Sequence, residues 1–383
     1  MSLASPRTLV KMLRPGPPDV DVMSTDSRSE HSSSERRRWH LEDTDGAPST
    51  PNSVTNDDLA TGAMDALDSS CSIPSGAPCT PERGAGLRAK NLGTACSFPS
   101  DPLVRYHVNQ ELRTSLFGTV LFAYDKISSH PVAIKLSNVD LVRAGRSSTG
   151  CPVVEDPLLE SCLLQRLPAH PFVVSLHDEH IVDNVHWMVL EYVPNGDLFE
   201  YLLQSAPLAP QVARNYVRQI AEALLHIHEH KVCHLDVSLE NVLLDAEHNV
   251  KLTDFGVARC FAKQGSSVYP GIQRAEKPGK VRYMAPEVLA SQPFDGCLVD
   301  SFALGVIMFC LLVGSAPFER AHRKDPRWQL ISSGDFKTLF HLIGVTGPSA
   351  TAVDLLNGLL TTADKRLDVA AVLRHPWLTE NLA

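Results

Sequence analysis

Apolar positions are spread unevenly along the 383 residues. Residues 1–102 are crowded with Ser, Pro, Asp, Gly and Thr, and only two aromatics, Trp39 and Phe98, fall within positions 1–100. Such a stretch buries too little apolar surface to offset the entropy of ordering it, and it reads as a disordered tail. From residue 103 the pattern changes. Leu112 to Ala123 alternates as a β-hairpin does, and Val132-Ala133-Ile134-Lys135 reads as a strand ending in a cation. Leu159, Leu163, Leu164 and Leu167 form an apolar stripe at helical spacing around Glu160. Met188 to Val193 reads as a buried strand, and Lys251-Leu252-Thr253-Asp254 as a strand-like segment ending in a carboxylate. The run Phe302 to Val313 is apolar for about a dozen residues against the ~20 that a bilayer needs, so it predicts a buried helix and not a membrane span.

Composition narrows the class. The formal net charge is −9 with a pI near 6.0, which gives nothing to attract nucleic acid or an anionic membrane surface. The 9 cysteines are scattered, with no CxxC pair and no secretory leader, an arrangement suited to reduced thiols in the cytoplasm with nuclear access open. Arg7, Lys11 and Arg14 precede the first acid, Asp19, as in a mitochondrial presequence, but the segment is short and broken by prolines, and that reading is set aside. His226, His228 and His230 look metal-like; alternate residues of a helix point apart, which argues against zinc. The remaining roughly 280 residues suit a single catalytic domain.

The chemistry is densest between Val232 and Gly256, VCHLDVSLENVLLDAEHNVKLTDFG. Asp236 and Asn241 lie on one loop, and Asp254 closes the strand that follows. Together they supply hard oxygen ligands for Mg²⁺ and a proton acceptor beside them. The segment resembles the eukaryotic protein kinases: His234 to Asn241 matches their catalytic loop HRDLKPEN, and Asp254-Phe255-Gly256 their DFG triplet. Met284-Ala285-Pro286-Glu287 is similar to the APE motif, Asp300 to Gly305 to DxWSxG, and Arg366 to the arginine that pairs with the APE glutamate.

This resemblance implies an α+β, two-lobed kinase fold over residues 103–379. A small antiparallel β-sheet lobe with one long helix spans 103–193, and a larger, mainly helical lobe spans 194–379. It implies ATP and Mg²⁺ as cofactors and a protein substrate. Lys135 would hold the α and β phosphates with Glu160 as its partner, Glu155 being the fallback. Asn241 and Asp254 would hold the metal, and Asp236 would accept the proton of a substrate hydroxyl. The adenine slot would use Val120, Ala133 and Leu243, with the backbone of Glu191 and Val193, Leu190 as gatekeeper and Asp197 toward the ribose, while Leu112 and Gly118 would also contact ATP. Leu164, Leu176, His234 and Phe255 would form an internal stack. The loop lacks the pattern of tyrosine kinases, so Ser/Thr is the expected target. Asp197 and Glu240 favour a basic residue before it.

Departures from the family pattern are equally informative. The phosphate loop, expected as GxGxxGxV, reads Arg113-Thr114-Ser115-Leu116-Phe117-Gly118-Thr119-Val120, with only the last glycine kept. Side chains there restrict how closely backbone N–H groups cover phosphates. Leu235 replaces the HRD arginine, which predicts activity independent of activation-loop phosphorylation at Ser266 or Ser267. Ser238 stands where a lysine is usual, while Lys280 holds the place of a threonine; charge and hydroxyl have exchanged partners, and Lys280 is expected within reach of Asp236 or Ser238 as a catalytic cation. Residues Ser137 to Asp156 form a longer connection than usual and read as a surface insertion. HPFVVSL and LRHPWL resemble the calcium/calmodulin-dependent group, but with no EF-hand loop and no helix beyond Ala383, calcium regulation is not expected within the chain. A pseudokinase that binds nucleotide as a scaffold is the competing reading. Substrate identity, activating input and oligomeric state stay open.

Overall fold

The computed structural model describes residues 102–261 and 279–380. The expectations for the tail and for Ser266 and Ser267 fall outside the described residues. A five-stranded antiparallel sheet forms the first part, built from β1 (Tyr106–Ser115), β2 (Gly118–Asp125), β3 (Pro131–Asn138), β4 (Leu176–Val182) and β5 (Val185–Glu191). Its order is β1-β2-β3-β5-β4. β5 is buried along nearly its whole length, and its one buried polar side chain, His186, meets Glu179 at 2.8 Å. Ile134, Leu136, Trp187 and Val189 lie at the centre of this sheet's core. The hairpin expected over Leu112 to Ala123 starts earlier, at Tyr106, because Arg105 and Tyr106 tie the strand's beginning to Asp125 and Asp178.

Two helices sit between β3 and β4: α1 (Val139–Ala144) and α2 (Pro157–Arg166). Asn138 caps α1, and Gly145 ends it in the left-handed conformation at φ 61°, which a side chain would strain. Asp156 caps α2 by accepting from the N–H groups of Leu158 and Leu159 at 2.9 and 3.1 Å. Pro157 occupies the first turn, where its missing N–H costs nothing.

The helical part is organised around α3 (Leu198–Ser205), α4 (Pro210–Glu229) and α5 (Gly296–Val313). α5 begins six residues before the apolar run Phe302 to Val313 and so reaches 18 residues; 78% of it is buried inside the domain, which makes it the central core helix. Asp295 caps its start and Gly314 ends it. Arg366 reaches Glu287 through two hydrogen bonds of 2.6 and 3.0 Å, locking a late loop onto the helix Pro286–Leu289. The three histidines part as expected: His226 and His230 have ring centroids 4.6 Å apart on one face, while His228 is buried against Asp300 at 2.8 Å. Among the described residues no group of three His, Cys, Asp or Glu side chains is arranged to hold a metal ion.

Candidate active site

The catalytic segment lies at the edge of the helical part, held from behind by one carboxylate. Asp300 of α5 accepts from the backbone N–H groups of His234 and Leu235, both at 2.8 Å, and from the His228 ring. This buried acceptor fixes a loop whose Leu235 has φ 65°, a conformation a leucine does not adopt without support. His234 in turn packs on Phe255, ring centroids 4.8 Å apart, and its Nε2 reaches the Thr253 carbonyl. Leu164 is buried and Leu176 partly buried in the same core.

Lys135 and Glu160 meet at 2.7 Å, and Lys135 also reaches Asp254 at 3.2 Å. The fallback, Glu155, instead packs against Gly256 and lines the cleft. Burial disfavours a charged lysine, but the Asp254 and Glu160 carboxylates overcome this and raise the Lys135 ammonium well above its usual range. Burial by itself would raise Asp254; Lys135, with Arg113 and His234 farther off, brings it down to about 2. Burial and then the charge of Asp254 push Glu155 up to about 7.

Asn241 donates through its amide nitrogen to the backbone oxygen of Asp236 at 2.8 Å and to its carboxylate at 2.7 Å. That engagement commits the nitrogen and turns the amide oxygen the other way. Lys280 places its ammonium 3.2 Å from Asp236 and 3.0 Å from Ser238, and its N–H donates to Asp236 at 3.1 Å, so the charge and hydroxyl do meet. Gly279, at φ 83°, makes this approach feasible: a Cβ there would stand 2.7 Å from the Leu235 carbonyl and 3.0 Å from Asp236.

Two cavities flank these groups. One of about 410 Å³ is lined by Leu112, Val120, Ala133, Leu190, Val193 and Leu243, together with Glu191, Asp197 and Lys135. Asp197 also caps α3 through the Glu200 N–H at 2.8 Å. The other, of about 920 Å³, joins Asp236, Asn241, Asp254, Glu240 and Lys280 to the turn 113–117. Gly118 borders neither cavity; it pairs with Ser115 and Ser137 behind the turn. Arg113 borders both, which the sequence reading, attending to its lost glycine, missed. The connection expected to be a surface insertion also forms a wall of the larger cavity, from Ser147 to Glu155, because it folds back onto the turn instead of outward. The donors facing that cavity are hard oxygens from Asp254, Asn241 and Asp236, with Asp254 held ionised by Lys135; this set fits Mg²⁺.

Residues 106–378 match the family model for the protein kinase domain. The chain belongs to the protein kinase domain family. The kinase domain is 29% identical over 287 residues to a carbon catabolite-derepressing protein kinase of Secale cereale, covering 74% of this chain and 53% of that one. It is also 29% identical over 279 residues to serine/threonine protein kinase OSK3 of Oryza sativa subsp. indica, covering 73% and 51%. The chain spans about half the length of the curated relatives it matches.

Proposed function

We propose that this kinase domain transfers the γ-phosphoryl group of ATP to a serine or threonine hydroxyl of a protein, without requiring a phosphate on its activation segment. The observation that carries the reading is the joint placement of Lys135 and Asp254, with Glu160 paired to Lys135, and of Asp236, Asn241 and Lys280 around the larger cavity. Adenine would enter the apolar 410 Å³ cavity, which directs the triphosphate toward Lys135.

Asp254 and Asn241 are the residues that would hold Mg²⁺, whose chemistry there is to neutralise phosphate charge. Lys135 positions the α and β phosphates and is kept protonated by its two carboxylates. Asp236, oriented by Asn241, aligns the acceptor hydroxyl and takes its proton as the phosphoryl group moves in line. Lys280, beside Asp236, offsets charge developing on the moving group. Glu240 faces the cleft and supports a basic residue near the target hydroxyl.

Independence from activation-segment phosphorylation rests on Leu235, which offers no cation to a phosphate, and on the Lys135–Glu160 pair already closed at 2.7 Å. The test is transfer from labelled ATP to a basic peptide mixture, with Asp236→Asn and a phosphatase-treated sample alongside. Transfer abolished by Asp236→Asn and retained after phosphatase is the expected result. ATP binding without transfer by the wild type would move the reading to a nucleotide-binding scaffold.

A further inference from the structure

The turn that should cover the phosphates has side chains at four successive positions, Thr114, Ser115, Leu116 and Phe117, where the family pattern has a glycine among them. A glycine loop closes on phosphates by virtue of conformational freedom and the absence of Cβ atoms. This turn is held differently. The Ser148 N–H donates to the Leu116 carbonyl at 2.7 Å, and the Asn138 N–H to the Phe117 carbonyl at 2.9 Å. Phe117 itself is 2% exposed.

The segment that supplies Ser148 is rigidly built. Residues 145–155 leave α1 at Gly145 and bond to themselves: Ser147 N–H to the Cys151 carbonyl at 2.8 Å, Gly150 N–H to Ser147 at 2.9 Å and Val153 N–H to Gly145 at 2.9 Å. The Arg146 guanidinium reaches the Gly150 carbonyl at 2.8 Å. The far end is fastened just beyond Asp254, where the Asp156 N–H donates to the Gly256 carbonyl at 2.8 Å. The segment is therefore a strap with both ends fixed, meeting the tip of the turn and walling the same cavity.

We propose that this strap positions the phosphate-covering turn through the Ser148 N–H, supplying by a tether the closure that glycines supply elsewhere by freedom, so that Ser148 is a positioning residue for nucleotide phosphates. The proposal rests on the ATP site described above. Its consequence is specific to phosphate: adenosine, which fills only the apolar cavity, does not depend on the strap.

The experiment compares the full chain with Ser148→Ala, which keeps the backbone donor, and Ser148→Pro, which removes it. Dissociation constants for ATP with Mg²⁺ and for adenosine are measured by calorimetry, and amide exchange is followed over residues 113–118. Loss of one ordinary hydrogen bond corresponds to about a fivefold weakening. Ser148→Pro is expected to weaken ATP by about that factor or more, leave adenosine unchanged and speed exchange in the turn, while Ser148→Ala matches wild type throughout. An unchanged ratio of ATP to adenosine affinity in Ser148→Pro, or equal weakening of both ligands, overturns the proposal. Phosphate transfer is scored separately: wild type that binds ATP without transferring it sinks the catalytic reading, while the affinity ratio still decides the tether.

Discussion

The Lys280 ammonium stands 3.0 Å from the Ser238 hydroxyl and 3.2 Å from Asp236, joining two segments 42 residues apart in the chain. In the proposed mechanism a cation beside Asp236 would act on the transferring group and not on adenine. Lys280→Met is therefore expected to lower kcat by ~10²-fold or more, the scale of losing one preorganised charge, with the ATP dissociation constant little changed. The double variant Ser238→Lys with Lys280→Thr restores the family arrangement and should recover part of kcat. Steady-state kinetics with a peptide substrate check both; intact turnover in Lys280→Met would make the pairing incidental.

The second expectation concerns stability. Arg366 is fully buried, forks onto Glu287 at 2.6 and 3.0 Å and donates to the Thr361 and Leu298 carbonyls as well. Arg366→Met leaves the buried Glu287 carboxylate and those carbonyls without their donors. Removing one partner of such a pair costs about 3–5 kcal/mol, and the urea midpoint should fall accordingly. Glu287→Gln keeps an acceptor for the fork and should cost less. Equal midpoints for the two variants would show that the carboxylate's charge, and not merely an acceptor for the fork, carries the stabilisation.

How much of this site was legible beforehand depends on which link fixes each residue. Lys135, Glu160, Asp236, Asn241 and Asp254 were legible because each sits at a set distance from a strand end or on a helical stripe, and the fold brings those positions together with little choice. The Lys280–Ser238 contact was legible as an exchange of residue types between two motif positions. The strap was not, since its bond to Leu116 is backbone to backbone and carries no side-chain signature. Arg113 was read only as a missing glycine; that its side chain borders both cavities depends on the path of the turn. The extra length of α5 was hidden by Asp300, a polar residue that breaks the apolar run yet is fully buried because it binds the catalytic loop.

An acid limb of the stability curve is assigned to one pair. The Arg105 guanidinium, bonded to Asp125 at 2.9 and 3.3 Å, brings the Asp125 carboxyl down to about 2, against the opposing effect of burial. A carboxyl whose folded pKa lies below its unfolded value stabilises fully above the unfolded pKa and loses that contribution as pH falls through the folded one. The urea midpoints of wild type and Asp125→Asn should therefore differ by a constant amount above about pH 5, the gap closing between about pH 4 and 2. A gap that persists at pH 2 would assign it to packing instead.

The last expectation concerns a thiol behind the catalytic loop. Cys297 opens α5, partly exposed, with the Cys233 thiol and the His228 imidazole as hydrogen-bond partners. The bond from Cys233 does most to lower its pKa; burial works against that, and His228 adds to the lowering, which leaves Cys297 at about 6. Burial alone would lower His228, but its bond to Asp300 reverses this and lifts it to about 9, so the imidazole is cationic where the thiolate forms. The thiolate is the form that alkylates, and a lowered pKa means it is already populated at neutral pH. Iodoacetamide labelling of Cys297, followed by peptide mass spectrometry from pH 5 to 9, should rise with a midpoint near 6 and level off by about 7.5, whereas a model thiol such as N-acetylcysteine titrates near ~8.5. The plateau itself should be modest, because nucleophilicity falls with basicity, so the midpoint and not the rate carries the test. Replacing the cation by His228→Gln should shift the midpoint upward. A wild-type midpoint near that of the model thiol would mean that neither partner holds the negative charge, and that His228 serves only to anchor Asp300.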